Sequence, residues 1–346
     1  MDVALYSYAD TGVSGYGTRV SADLSWLQEQ GYAVTHRQVA PSNRPAWWRY
    51  ASVFPAGVHA YGYDWAVGRS DVVIAEGLYL MSGLKPRSET KIVLVEHNIE
   101  SVYASSRASS SPFPKNCGYW AAAGRTWLYE RAALRRADVV VNVSTHDRDI
   151  AWRLGAARPV YVPTISMLRR RQEPWQPEGE VVLLGTWDYE PNREGLAWFM
   201  KEVQPSLERW GIDVAIVGRG GSHAWSRRGV RYYGVITDLA ATLEQALCVC
   251  VPIWFGGGTR VKILDAWQVG CPVVTTPTGC LGLAAEVGSN VSVAASSDAM
   301  ASCIRALITQ PSHGEMLITG GFETTDRLYS QSQFNCGWAE AMGLAV

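Results

Sequence analysis

The feature that most restricts this chain is an alternation. Short apolar runs of strand length take turns with stretches of helical period, and the whole pattern occurs twice. In the first half, residues 3 to 8 form an apolar run that enters a glycine-rich turn, followed by a helical stretch with Val20, Leu24 and Leu27 on one face. Further strand-like runs lie at 32–39, 71–75, 91–95 and 138–143. The pattern restarts with strands at 180–184, 214–217, 230–234, 248–253 and 272–275. Helical stretches fall at 193–210, where Pro205 predicts a kink, after Asp238, from near Thr259, and at 330–342. Short strands that are apolar on both faces, alternating with helices, belong to parallel sheets covered on each side. A length of 346 residues suits two such domains better than one core. The charged, proline-rich stretch from Arg169 to Gly179 reads as the break between them, and the arginine triplet as a solvated face. The predicted boundaries are 1–165 and 180–322, with a linker at 166–179 and a closing segment at 323–346.

Composition then narrows the class. A net charge of −1 supplies no basic field, so nucleic acid is not an expected partner. No apolar run approaches the ~20 residues that cross a bilayer, and the opening MDVALYSYADTG lacks the basic and apolar regions of a signal peptide. Seven cysteines without paired spacing argue against a disulfide framework and for a reducing cytoplasm. Cys248 and Cys250 read as buried strand thiols rather than zinc ligands, with zinc left as a remote alternative. Fifteen tryptophans serve cores, and they also stack on flat ligands. Residues 41–70 and 101–128 read as irregular, aromatic-rich and substrate-facing. Trp47 and Trp48, with Tyr50, Phe54, Tyr61, Tyr63 and Trp65, fit three roles: a stacking wall for an acceptor, an anchor at a membrane interface, or aromatics tucked onto the first domain.

Four segments carry chemistry. The strongest is Gly256-Gly257-Gly258-Thr259-Arg260-Val261-Lys262-Ile263-Leu264-Asp265, placed after a buried strand and opening a helix. Glycines admit a bulky ligand close to the backbone, and the free N–H groups and dipole of a helix start favour a diphosphate. Arg260 and Lys262 add positive charge, and Asp265, on the same helix face as Lys262, can accept hydrogen bonds from ribose hydroxyls. The competing reading is a plain strand–helix turn with solvated charges. The second segment, Gly12-Val13-Ser14-Gly15-Tyr16-Gly17, lacks dinucleotide-loop spacing, and the second strand has no ribose-binding acid, although Arg37 suits a 2′-phosphate. The third, Glu96-His97-Asn98-Ile99-Glu100, ends a buried strand, where ligands gather in parallel sheets. The fourth is the turn from Gly185 to Asn192, for which a purely structural role competes.

Together these segments resemble the retaining, two-Rossmann-domain (GT-B) glycosyltransferases of the large family that includes bacterial α-mannosyl- and glucosyltransferases. The likeness spans nearly the whole chain. It also draws on Ala137-Asp138-Val139-Val140 leading to Val143-Ser144, Val217-Gly218-Arg219, Tyr233-Gly234-Val235, Gly270-x-Pro272-Val273-Val274 and Gly279-x-Leu281-Gly282-Leu283. The resemblance implies an α/β chain of two Rossmann-like domains facing across a cleft, with the last helix returning to the first. It implies a UDP-, GDP- or TDP-sugar donor bound mainly by the second domain. Val235 would meet the base, Arg260 and Lys262 the diphosphate, and Asp265 the ribose. Gly15 and Gly17 would close from the first domain, with His97 near the reacting sugar. Asn192, Arg219, Gly256, Gly257, Gly258 and Thr259 complete the implied donor set, and Asn98 joins Trp47 and Trp48 on the acceptor side. The acceptor would be a glycan, a glycolipid or a natural product. Transfer would retain configuration, need neither cofactor nor divalent metal, and take place in the cytoplasm, with peripheral contact at the inner face of the membrane.

Two departures stand out. Where the family often carries two acids eight residues apart, the second is Asp265 rather than Glu, and the first position holds Gly257, which has no side chain. Three other readings stay open on the residues alone. They are a nucleotide-sugar epimerase drawing on Glu76, Glu96 and Glu100, an NADP oxidoreductase, and a non-catalytic nucleotide-sugar binder.

Overall fold

A computed structural model describes residues 1–8, 15–40, 70–85 and 87–344, with Pro55 and Val58. The chain divides into two compact units. The first takes residues 1–164, 256–259 and 331–346, and the second takes residues 165–255 and 260–330.

The first unit is built on a six-stranded sheet ordered β2-β1-β3-β4-β5-β6. Its strands are β1 (Asp2–Tyr8), β2 (Ala33–Val39), β3 (Val72–Glu76), β4 (Lys91–Glu96), β5 (Val139–Asn142) and β6 (Pro159–Tyr161). All neighbours run parallel. Every residue of β3 and β5 is buried, which is why these strands read as unbroken apolar runs. β2 is an edge strand and mostly exposed, Arg37 included. Helix α1 (Gly15–Glu29) follows β1 and buries Val20, Trp26 and Leu27, but also Arg19 and Asp23. Residues 101–128 depart from expectation. They belong largely to two helices, α2 (Glu100–Ser109) and α3 (Lys115–Arg136). The start of α2 is capped from outside: the Glu130 carboxylate on α3 accepts from the backbone N–H of Glu100 at 2.6 Å and of Ser101 at 3.3 Å. A cap that arrives 30 positions later leaves no local N-terminal signal. Helix α4 (Thr145–Leu154) is capped locally by Ser144.

The second unit has six parallel strands ordered β12-β11-β10-β7-β8-β9. They are β7 (Val181–Leu184), β8 (Val214–Val217), β9 (Val230–Gly234), β10 (Cys248–Val251), β11 (Val273–Thr275) and β12 (Ser292–Val293). Helix α5 (Glu190–Trp198) runs through a π-helical turn, Phe199–Val203, into the helix Gln204–Arg209. The kink expected at Pro205 takes this form because proline has no N–H to bond back into the preceding turn. Leu196, Phe199, Val203 and Leu207 point into the core. Asp238 caps α6 (Leu239–Glu244) by accepting from Ala241 N–H at 2.8 Å. Helix α7 (Val261–Val269) begins two residues later than expected, with Arg260 as its cap residue. Two helices of this unit went unread in the sequence, α8 (Ser297–Thr309) and α9 (Pro311–Leu328).

Residues 166–179, read as a linker, fall within the second unit. Trp175 is buried in the second core and donates its indole N–H to the Ala246 carbonyl at 3.2 Å. The arginine triplet makes surface pairs, with Arg169 exposed as expected. Arg169 pairs with Glu244 at 3.1 Å, Arg170 pairs with Asp326 and lies 4.5 Å over the Phe322 ring, and Arg171 donates to the Glu244 carbonyl. The closing segment also divides later than expected. Residues through Ser330 stay with the second unit, and only from Gln331 does the chain belong to the first. There, helix α10 (Gln331–Met342) sends the Trp338 indole N–H to Asp23 Oδ1 at 2.6 Å, and its Ala341 carbonyl accepts from Lys91 Nζ at 2.9 Å. Cys248 and Cys250 are buried thiols on β10. Among the described residues, no three of His, Cys, Asp and Glu gather as a metal-binding group.

Candidate functional site

In the first unit the candidate residues collect at the carboxyl ends of β3, β4 and β5, the edge of a parallel sheet where ligands sit. His97 follows β4. Its Nε2 lies 2.9 Å from Glu76 Oε2, and its ring centroid is 4.7 Å from that of Tyr16, in the first turn of α1 beside Gly15 and Gly17. The Tyr16 hydroxyl donates to the Glu76 carbonyl and accepts from Tyr8 N–H, both at 2.9 Å. Behind Glu76 stands a buried ion pair: Arg19 Nε is 2.8 Å from Asp23 Oδ2. Burial pushes Glu76 and Asp23 each up to about 7, with Arg19 pulling both back down. Burial, reinforced by the charge of Arg19, drops His97 to about 3. His97 is therefore a neutral ring whose Nε2–H is directed at Glu76, leaving Nδ1 as an acceptor. The expected result is a single neutral Nε2–H tautomer from pH 5 to 8 in long-range ¹H–¹⁵N spectra, replaced by a tautomer mixture in Glu76→Gln. A His97 signal titrating near its ordinary 6.5 contradicts this assignment.

Asn98 donates from Nδ2 to Glu100 Oε1 at 2.6 Å. The glycine triplet belongs to this unit too. A Cβ on Gly257 would lie 3.1 Å from the Asn98 Cβ, so an acid at that position would need Asn98 to give by a few tenths of an ångström. Gly258 has φ +75°, and a Cβ added there would collide with the His97 carbonyl oxygen. The Thr259 hydroxyl donates to the Val143 carbonyl at 3.1 Å. Glu96 and its cross-strand neighbour Asn142 are enclosed, and neither the carboxylate nor the amide finds a hydrogen-bond partner. Burial, then Glu130, Glu100 and Asp147, drive Glu96 far towards the neutral acid. Glu76 is fully buried and Glu96 nearly so. Trp47, Trp48 and Gly12 to Ser14 lie outside the described residues.

In the second unit α7 places Lys262 and Asp265 on one face. Lys262 Nζ donates to the Leu184 carbonyl at 2.5 Å and to Asn192 Oδ1 at 2.9 Å, while Asn192 Nδ2 donates to the Thr186 carbonyl at 3.0 Å. The ends of β7, α5 and α7 are thus tied by one ammonium. Burial, with the nearby charge of Arg260 adding to it, lowers Lys262 to about 7. Arg260 itself is buried at the helix start. Asp265 accepts from Ser166 Oγ at 2.6 Å, and burial raises it to about 6 against that hydrogen bond. The half-buried Arg219 follows β8, and its carbonyl accepts from Trp187 N–H at 2.9 Å. Val235 follows β9 and is largely exposed. Sequence reading did not find Ser166, the Leu184 carbonyl, or the Arg19–Asp23 pair. For the pair a signal existed, two opposite charges four apart on the face of α1 that carries Val20 and Leu27.

Residues 178–310 match the family described as Glycosyl transferases group 1. No curated protein matches the sequence. Among solved structures, the sucrose-phosphate synthase (tll1590) of Thermosynechococcus elongatus is similar over 99% of this chain and 98% of its own, with a TM-score of 0.71 at 16% identity. WaaG, a glycosyltransferase involved in lipopolysaccharide biosynthesis, covers 99% and 100%, with a TM-score of 0.69 at 15% identity. Anabaena Alr3699/HepE, solved in complex with UDP, covers 99% of both chains, with a TM-score of 0.65 at 13% identity. The fold is the two-Rossmann-domain GT-B fold of glycosyltransferases.

Proposed function

We propose that the protein is a glycosyltransferase that takes a hexose from a nucleoside-diphosphate sugar, foremost a UDP-sugar, and passes it with retention to a hydroxyl acceptor. The observation that carries this reading is Lys262, a half-buried ammonium at the start of a helix, beside Arg260 and one turn before Asp265. Such an arrangement takes a diphosphate at the cations and a ribose at the acid. Arg260 and Lys262 then neutralise the charge that develops on the leaving diphosphate, work that a divalent metal does elsewhere, so chelators should leave turnover unchanged. Val235 offers an exposed apolar side chain to the base. In the front-face route, the departing phosphate oxygen receives the proton of the attacking hydroxyl. The UDP and UDP-glucose complexes of the Anabaena structure support uridine as the base, and the seven free cysteines suit a reducing cytoplasm.

A thermal-shift screen of nucleoside diphosphates and their sugars tests the reading, because a ligand that binds only the folded chain raises Tm by mass action. UDP and UDP-hexoses should raise Tm most. A shift with NADP instead of any nucleoside diphosphate would sink the proposal.

A further inference from the structure

Ser166 is the second residue of the second unit, in the irregular stretch between β6 and β7. Its neighbours pin it in place. Ile165 is buried, and Leu168 packs on the core patch that holds Ile263, Leu264 and Trp267 of α7. The Ser166 hydroxyl has one proton to give. It accepts from the Leu168 N–H at 3.3 Å and donates to Asp265 Oδ1 at 2.6 Å, a partner 99 positions away. That length is the one a hydroxyl takes towards an ionised carboxylate, about 2.5–2.7 Å. The bond also opposes the burial that raises Asp265 to about 6. Asp265 is half-buried, and among the described residues its Oδ2 takes no hydrogen bond. An aspartate side chain has only χ1 and χ2 to set, and a hydroxyl that holds one oxygen restrains both.

We propose that Ser166 is a positioning residue for sugar-ring recognition in the nucleoside: by holding Asp265 Oδ1 it leaves Oδ2 set for the ribose hydroxyls, and so fixes a preference for ribose over its deoxy forms. The inference rests on the reading of Asp265 as the acid that meets the ribose. An ionised carboxylate only accepts, so it rewards a ring that carries hydroxyl protons and gains nothing from one that lacks them. Without the serine, the carboxylate would sample several rotamers and lose that freedom when ribose arrives. With it, the ordering is complete in the free protein, which is how a pre-organised site gains affinity. Ser166 itself need not touch the nucleotide, because its effect passes through Asp265. The donor class narrows accordingly, to sugars carried on ribonucleoside rather than deoxyribonucleoside diphosphates.

Calorimetric titration of the full chain with UDP and with 2′,3′-dideoxy-UDP tests it, at pH 8 where Asp265 is ionised. The two ligands share base and diphosphate, so the ratio of their Kd values isolates the ribose hydroxyls and cancels whatever Lys262 contributes. The parent should bind UDP at least about tenfold tighter, as hydrogen bonds to a charged acceptor imply. Ser166→Ala should bring the two ligands to within about threefold by weakening UDP alone. Its unchanged affinity for the dideoxy analogue shows that the variant is folded. Ser166→Thr keeps the hydroxyl and should keep the parent ratio. In an Asp265→Asn background, Ser166→Ala should change neither Kd further, because the serine acts through the acid. An unchanged ratio in Ser166→Ala, an equal loss for both ligands, or a further loss in the Asp265→Asn background would overturn the proposal. A parent that binds both ligands equally well also overturns it, while leaving diphosphate binding intact. A parent that binds neither brings down the proposed function along with it.

Discussion

Lys262→Ala is expected to lower the transfer rate by about 10²–10³, the loss typical of removing one preorganised donor from a developing oxyanion. The chain should stay folded. The substitution removes a desolvated cation that the folded state has driven down to about 7, and it frees the Leu184 carbonyl and Asn192 to meet water. Single-turnover rates, set beside the Tm shift with UDP, separate this outcome from unfolding. The same ammonium sets a pH dependence with a definite sign. In the free protein Lys262 is mostly neutral above pH 7, and an arriving diphosphate supplies the negative charge that restores its proton. Donor binding at pH 8 should therefore take up close to one proton, and affinity should fall by up to about tenfold per pH unit above 7. Calorimetry in two buffers of different ionisation enthalpy reads the uptake directly. A value of zero at pH 8, or the same uptake in Lys262→Ala, contradicts the role given to this residue.

Asp23→Ala is expected to destabilise the chain by about 3–5 kcal/mol, the penalty for leaving one member of a buried ion pair uncompensated. Arg19 and Asp23 are both fully enclosed, and Arg19 Nη2 already lacks a partner. Arg19 Nη1 donates to the Val162 carbonyl at 2.9 Å and the Pro163 carbonyl at 3.2 Å, while Asp23 accepts from Trp338 on α10. Removing the carboxylate strands the guanidinium and the indole N–H together, close to the point where the chain leaves the first unit and against the helix that returns to it. Asp23→Asn keeps an acceptor for Trp338 and should lose less. Urea unfolding of both variants provides the comparison. If the two match the parent, Arg19 is not held by this pair.

Much of the architecture was legible because parallel strands buried on both faces leave unbroken apolar runs. Residues 72–76, 139–142, 181–184 and 214–217 are such runs, with little inside them to suggest helix. The edge strands β6 and β12 were missed because three and two residues carry no period. Helices α2 and α3 were missed for different reasons: one takes its cap from a distant glutamate, and the other exposes tryptophan where amphipathic patterning expects polar side chains. The stretch 166–179 has the composition of a linker, yet Trp175 finds a core that only the assembled second sheet provides.

What the sequence determined by itself is the two β-α-β halves and the glycine-to-acid segment at the start of α7, since periodicity and a helix N-terminus are properties of neighbouring residues. Only the tertiary structure decided the charge states. Lys262 is held by groups 70 and 78 positions away, Asp23 by one 315 positions away, and His97 by Glu76 from the adjacent strand. Desolvation and pairing are set by what surrounds a group in space, so no local pattern could have announced that Lys262 sits near 7 or that His97 is neutral.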